Sequence, residues 1–183
     1  MAILTRVLVP VGIGLGLASQ AAAQAEPRAS ATEVRAAYLL NFARYVEWPA
    51  SVMGDSTAPL VVCVVGSAAM EDALRGVAEG QTVRGHRVRI ESVPSSEEAA
   101  GCQVSYVDPS AGAEGRSLEV RWSGRPVLTV GEGDDFLAGG GMIGFVPVGQ
   151  TVRFTINQEA AQRAGLRVSS RVLALAVPRQ PAR

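Results

Sequence analysis

The chain has 183 residues, of which 48% are hydrophobic and 19% charged, so it can build one core and is too apolar to be disordered. Its 17 basic and 17 acidic residues balance, which argues against a nucleic-acid or anionic-membrane footprint. All 17 are Arg and no Lys occurs, a coding bias rather than a function.

Arg6 precedes an apolar run from Val7 to Leu17, and small residues follow through Ala25. A basic start, an apolar middle and small residues are the parts of a secretory signal peptide, with cleavage after Ala23 or Ala25. The run is shorter than the roughly 20 residues a membrane span needs. Residues 1–23 (or to 25) are therefore expected to be removed on export. Residues 24–31 read as a flexible lead-in, residues 32–177 as one domain, and residues 178–183 as a disordered tail.

A helix is expected from Thr32, as N-cap, to Glu47. Val34, Tyr38, Phe42 and Tyr45 recur at helical spacing, widened by Leu39 and Val46. Arg35 projects near the middle of that apolar face, which is unusual, and reads as extending its head out to solvent at the first turn. Trp48-Pro49 ends the helix, because Pro disfavours helix at the residue before it. The aromatic cluster Tyr38, Tyr45 and Trp48 reads first as core and secondly as a partner-facing edge. Ala50 to Pro59 reads as a polar loop.

Leu60 to Val65 is a continuous apolar strand, followed by Gly66-Ser67 and a helix over 68–78. Strand, Gly turn and helix open a doubly wound unit, but without GxGxxG or a placed acid the nucleotide signal is weak. Further strands are expected over Gly85–Val93, Gln103–Val107 and Pro126–Val130. A short helix is expected over 95–100, weak helix over 111–118, and another short helix around Phe136. Met142–Val146 and Val152–Ile156 form a hairpin about Val148-Gly149. Asn157 is placed to cap a helix that Gly165 stops. The order predicts an α/β, Rossmann-like fold: a mostly parallel sheet flanked by helices with an antiparallel edge hairpin.

The catalytic inventory is sparse. His86 is a lone histidine at a strand start and reads as an incidental surface residue. Asp134-Asp135 in GEGDDF follows a strand end, but one of the pair caps the next helix on the plainer reading. Adjacent helix residues do not face one another, so the pair makes a poor acid/base dyad. No metal-ligand spacing, GxSxG elbow or cofactor motif is present. Cys63 and Cys102, an even count in an exported chain, read as a disulfide, with two buried thiols as the alternative. Binding is expected rather than catalysis.

Six stretches in order resemble the periplasmic YfiR-like (HmsC-like) proteins: VRAAYLLNFARYVEWP (34–49), LVVCVVG (60–66), GCQVSYV (101–107), VLTVGEGDDF (127–136), GGMIGFV (140–146) and VRFTINQEAAQRAGLRVSSRVLALA (152–176). The resemblance implies a Rossmann-like periplasmic domain without enzyme activity or cofactor. It implies a negative regulator that binds the periplasmic sensor domain of an inner-membrane diguanylate cyclase and so restrains cyclic-di-GMP and biofilm formation. An outer-membrane lipoprotein that sequesters the regulator, and a homodimer, are also implied, with no nucleic-acid partner. Cys63 and Cys102 match positions of a disulfide in the family, and a second cysteine pair of some members is absent. Partner contacts are expected at Tyr38, Tyr45, Trp48, Gly140, Met142, Arg153 and Arg171. The tail from Ile156 to Leu166 is also similar to that of some periplasmic solute-binding proteins, so a small-molecule-binding module is the alternative. Its pocket would lie near Gly66-Ser67 and Gly131–Asp135.

Overall fold

The computed structural model describes residues 29–55, 57–93 and 101–179. The expected signal peptide, residues 24–28 of the lead-in, the helix expected over 95–100 and residues 180–183 lie outside the described residues.

Helix α1 (Ala31–Tyr45) starts before the expected Thr32 cap. Ser30 is the N-cap: its Oγ accepts from the Glu33 N–H at 3.1 Å, and its own N–H donates to the Glu33 carboxylate at 2.6 Å. This reciprocal capping box satisfies two otherwise orphan donors. Thr32 falls inside the first turn. The helix stops at Tyr45 rather than Glu47, because Val46–Glu47 forms an extended strand, β1. That strand pairs antiparallel with Arg167–Val168 near the end of the domain. The buried face is Ala36, Leu39, Leu40, Phe42 and Ala43, while Tyr45 is 40% exposed. The expected polar loop holds a short helix, α2 (Ala50–Met53).

Strand β2 (Leu60–Val65) is buried at every position. Gly66 turns at φ +83° into α3 (Ala68–Ala78), whose N-cap Ser67 accepts from the Met70 N–H at 3.2 Å. β3 (Thr82–Val83) and β4 (His86–Ser92) form a hairpin around Arg84-Gly85. Both loop residues have positive φ, 54° and 89°, as the two-residue hairpin turn matched to strand twist requires. His86 is buried, contrary to the surface reading, and its Nδ1 lies 2.7 Å from the Ala58 carbonyl. The backbone oxygen gives the ring a partner that the sequence around it does not reveal.

β5 (Val104–Val107) leads through a 3-10 turn (Pro109–Ala111) into α4 (Gly112–Trp122). This helix runs a turn beyond the expected Leu118, because Leu118 and Trp122, four apart, are both buried on one face. β6 (Leu128–Glu132) is followed by α5 (Gly133–Ala138). Its N-cap residue is Glu132, so Asp134 and Asp135 occupy the first turn and neither is the cap. There the carboxylates complement the helix dipole. β7 (Ile143–Val148) and β8 (Thr151–Ile156) form the expected hairpin, turning at Gly149-Gln150. Asn157 caps α6 (Gln158–Arg163) by accepting from the Ala160 N–H at 3.1 Å, and Gly165 follows at φ +75°. β9 (Arg167–Val168) and α7 (Ser170–Leu173) complete the described chain.

The main sheet has the order β3-β4-β2-β5-β6-β7-β8. The strands from β4 to β7 are parallel, and β3 and β8 are antiparallel. The α/β reading holds, with an antiparallel strand at both edges rather than one. Leu60, Val62 and Val64 share a core with α1 and α3, while Val61, Cys63 and Val65 share one with α4 and Phe136 and Leu137 of α5. Helices therefore cover both faces, as buried parallel strands require. Cys63 and Cys102 form the disulfide, with Cα atoms 5.8 Å apart, tying the middle of β2 to the approach to β5.

Trp48 and Met142 are buried, with 9% and 2% exposure, so neither side chain is presented to a partner. Trp48 joins the larger core, its Nε1–H directed to the Gln103 carbonyl at 3.3 Å. Met142 joins the larger core as the chain enters β7.

Candidate functional site

Three elements far apart in sequence meet at the C-terminal rim of the parallel sheet. Tyr106 is the third residue of β5, and its side chain points to the face covered by α1. Asp108 follows that strand and caps the next turn by accepting from the Ser110 N–H at 3.0 Å. Glu132 is the last residue of β6. Arg35 reaches them from the first turns of α1.

The Tyr106 hydroxyl donates to Glu132 Oε1 at 2.9 Å, and Asp108 Oδ2 lies 3.4 Å away. One phenolic hydrogen serves one good acceptor, so the shorter contact carries the bond. Arg35 Nε stands 3.0 Å from the same Glu132 oxygen, without hydrogen-bond alignment of its N–H, so this contact is an ion pair. The Arg35 and Glu132 side chains are 26% and 22% exposed, intermediate between a surface pair and a buried one. Arg35, the odd residue on an apolar helix face, is thus held by a carboxylate at the end of β6 rather than only extending to solvent.

Tyr106 itself is 2% exposed. Burial, and then the Glu132 carboxylate, push its phenol well above the ordinary tyrosine range; Asp108 adds to this and Arg35 opposes it. The hydroxyl therefore stays a neutral donor. It orients Glu132 and does not ionise near neutral pH.

Beside this cluster lies a cleft of about 330 Å³, lined by Asp108, Glu132 and Asp135, with Arg116, Val107 and Phe136 among the other walls. Three carboxylates around one cleft suit a ligand group that is cationic or rich in hydrogen-bond donors. Of the expected pocket, the Gly131–Asp135 side contributes Glu132 and Asp135. The Gly66-Ser67 side does not contribute. The chain reverses direction across β2, where a doubly wound sheet leaves its ligand crevice. Here the 3-10 turn fills that place: Ser110 Oγ donates to the Gly66 carbonyl at 2.7 Å, and a Cβ on Gly66 would stand 2.8 Å from the Ala111 Cβ.

The expected partner-contact residues separate into groups. Tyr38 is half-buried and packs against Phe42, Phe145 and Phe154, with centroid distances of 5.9, 6.3 and 5.5 Å. Tyr45 and Arg171 are exposed and share one region, because the Ser169 N–H donates to the Tyr45 carbonyl at 2.9 Å and Ser169 Oγ accepts from the Arg171 N–H. Arg153 is exposed on β8, and Gly140 lies in an exposed turn at φ +105°. The glycine run owes much to packing, since the Phe136 ring lies directly against Gly131 and Gly141. The sequence reading missed Tyr106 and Asp108, and it placed Glu132 only within a pocket segment without its pairing; the available signal was Arg35, whose place on an apolar face calls for an acid nearby.

Among the described residues, no helix is long and apolar enough to cross a membrane. The family model described as YfiR/HmsC-like matches residues 32–177, most of the chain. Its span runs from the capped first helix through the hairpin to the segment after α7, and includes both cysteines and every member of the Arg35 cluster. The chain belongs to the YfiR/HmsC-like family.

Proposed function

We propose that this chain is an exported periplasmic regulator that binds the periplasmic sensor domain of an inner-membrane diguanylate cyclase and holds the enzyme inactive. Membership of the YfiR/HmsC-like family, a family of periplasmic regulators of cyclic-di-GMP signalling, carries this reading. In it, residues 1–23 act as the export signal and residues 32–177 as a single, non-enzymatic regulatory domain. The regulator works as a homodimer and is released from the cyclase when an outer-membrane lipoprotein captures it. The exposed residues Tyr45, Gly140, Arg153 and Arg171, with half-buried Tyr38, are the contact candidates. Repression requires tighter binding to the inactive sensor conformation than to the active one, because equal affinity shifts no equilibrium.

The test is reconstitution of the full-length cyclase in vesicles with this protein on the sensor side. Cyclic-di-GMP synthesis should fall with a saturable dependence on regulator concentration. Unchanged synthesis at saturating regulator would refute the reading. The acidic cleft favours a second reading, a small-molecule sensing module that takes a cationic ligand at Asp108, Glu132 and Asp135. Replacing Asp135 by Asn should then abolish ligand-induced thermal stabilisation, while the unliganded midpoint falls only by the lost helix-dipole interaction of about 0.3–1 kcal/mol.

A further inference from the structure

Among the described residues, β4 is the outer strand of the sheet over most of its length. β3 covers it only at His86 and Arg87. Before that, the chain is still leaving α3, with the Gln81 N–H bonded to the Ala78 carbonyl at 2.9 Å. On its inner side β4 pairs with β2 through Val88 to Ser92. Successive strand residues send their backbone groups to opposite sides. The Val93 N–H reaches inward to the Val64 carbonyl at 2.9 Å, so Arg89 and Glu91 also face β2. Val88, Ile90 and Ser92 therefore direct their N–H and C=O groups outward. Among the described residues, no strand pairs with them there. The other edge is managed differently: the Val177 N–H donates to the Phe154 carbonyl of β8 at 2.9 Å.

The side chains along this open edge are self-complementary. Ile90 is flanked by Arg89 and Glu91, which project from the face opposite Val88 and Ile90. They lie 2.8 Å apart, with 57% and 38% of their side chains exposed. A second copy running antiparallel and centred on Ile90 sets Ile90 against Ile90 and Val88 against Ser92. These are the outward-facing residues, so they form the hydrogen-bonded pairs. The same register sets each Arg89 against a Glu91 of the other copy, in the non-hydrogen-bonded pairs where side chains approach most closely. Centring on Arg89 or on Glu91 instead puts like charges face to face on the two-fold axis. Centring between residues pairs outward groups with inward ones. An open groove of about 820 Å³ between Arg75 and Glu79 on one side and Val88 and Ile90 on the other leaves room beside the edge for the second strand's side chains.

We propose that the β4 edge is the homodimer surface of this chain, with two copies pairing antiparallel about Ile90 so that the sheet runs on across the two-fold axis. The proposal supplies a surface for the dimer of the reading above and rests on that reading for the dimer's role.

The test is a charge swap followed by sedimentation velocity. Arg89→Glu places two acids at the seam, and Glu91→Arg places two arginines there. Arg89 is exposed and Glu91 part-exposed, so folding stability should change little, which circular dichroism and a thermal melt verify. Each single variant should dimerise about tenfold or more weakly than the wild type, since two cross-strand attractions become repulsions. An equimolar mixture of the two should recover a heterodimer of near wild-type affinity. Mixing cannot restore the Arg89–Glu91 pair within one chain, so recovery reports contact between chains. A monomeric wild type, single variants of unchanged affinity, or a mixture no tighter than its components would each overturn the proposal. Sensor-domain binding by the wild type, measured separately, decides the regulatory reading whichever of these is found.

Discussion

Replacing Cys63 and Cys102 together by Ala tests what the disulfide contributes. The bridge spans a sequence separation of 39 residues. A cross-link of that span removes about 13 cal/mol/K from the unfolded chain in the loop-entropy relation, or about 4 kcal/mol at 25 °C. Both cysteines lie in the core layer that holds Val61, Val65, Leu118 and Trp122. Removing the sulfurs therefore also leaves small voids, which cost about 1 kcal/mol more. The reduced wild type separates the two effects, because it loses the cross-link while keeping the sulfur volume. For a domain of this size, the oxidised and reduced wild type should differ by roughly 8–16 °C in Tm. Urea unfolding with and without reductant gives the free energies directly. The double variant should fall slightly below the reduced wild type, be insensitive to reductant, and show a larger m value because its unfolded chain is freer to expand. An oxidised-to-reduced difference under about 1 kcal/mol would refute the argument.

Tyr106→Phe removes the hydroxyl that donates to Glu132 and should cost about 1–2 kcal/mol in urea unfolding. It should also change the alkaline limb. Burial first, and then Glu132, raise the folded-state phenol, so the folded chain keeps its proton at pH values where the unfolded chain has lost it. That contribution is complete below the ordinary value near 10 and is lost as pH rises further, with a limiting slope of about 1.4 kcal/mol per pH unit. Urea midpoints measured from pH 8 upward should show this slope in the wild type and a shallower one in the variant; equal slopes would defeat the assignment. Gly141→Ala drives a methyl group into the Phe136 ring and should cost about 1–3 kcal/mol. Gly139→Ala, at φ −69°, should be nearly neutral in the same thermal melt. Equal effects would show that the glycine run is not shaped by Phe136.

Much of the framework was legible from short-range chemistry. The buried strand at Leu60–Val65, the hairpin about Gly149 and the Asn157 cap each depend on residues a few positions apart. The first helix shows where such reading fails. Ser30 outcompeted Thr32 because Glu33 completes a capping box only with Ser30. Val46–Glu47 left the helix because their hydrogen-bond partners are Arg167 and Val168, more than a hundred positions along the chain. Trp48, His86 and Met142 looked available in sequence and were covered by segments that arrive from elsewhere.

Sequence by itself determined the strand and helix periods, the hairpin turn, the Asn157 cap and the family resemblance, because each is carried by local pattern, while the Cys63–Cys102 bridge was settled only when β2 and β5 became neighbours. Tertiary structure alone decided the site. Arg35, Tyr106 and Glu132 meet because β5 and β6 are neighbours whose ends lie at one rim and because the start of α1 crosses that rim. Sheet order is set by burying both faces of the whole sheet at once, a condition that no short stretch of the chain records. The same global condition leaves one edge of β4 without a paired strand among the described residues and places Arg89 and Glu91 symmetrically about Ile90 along it.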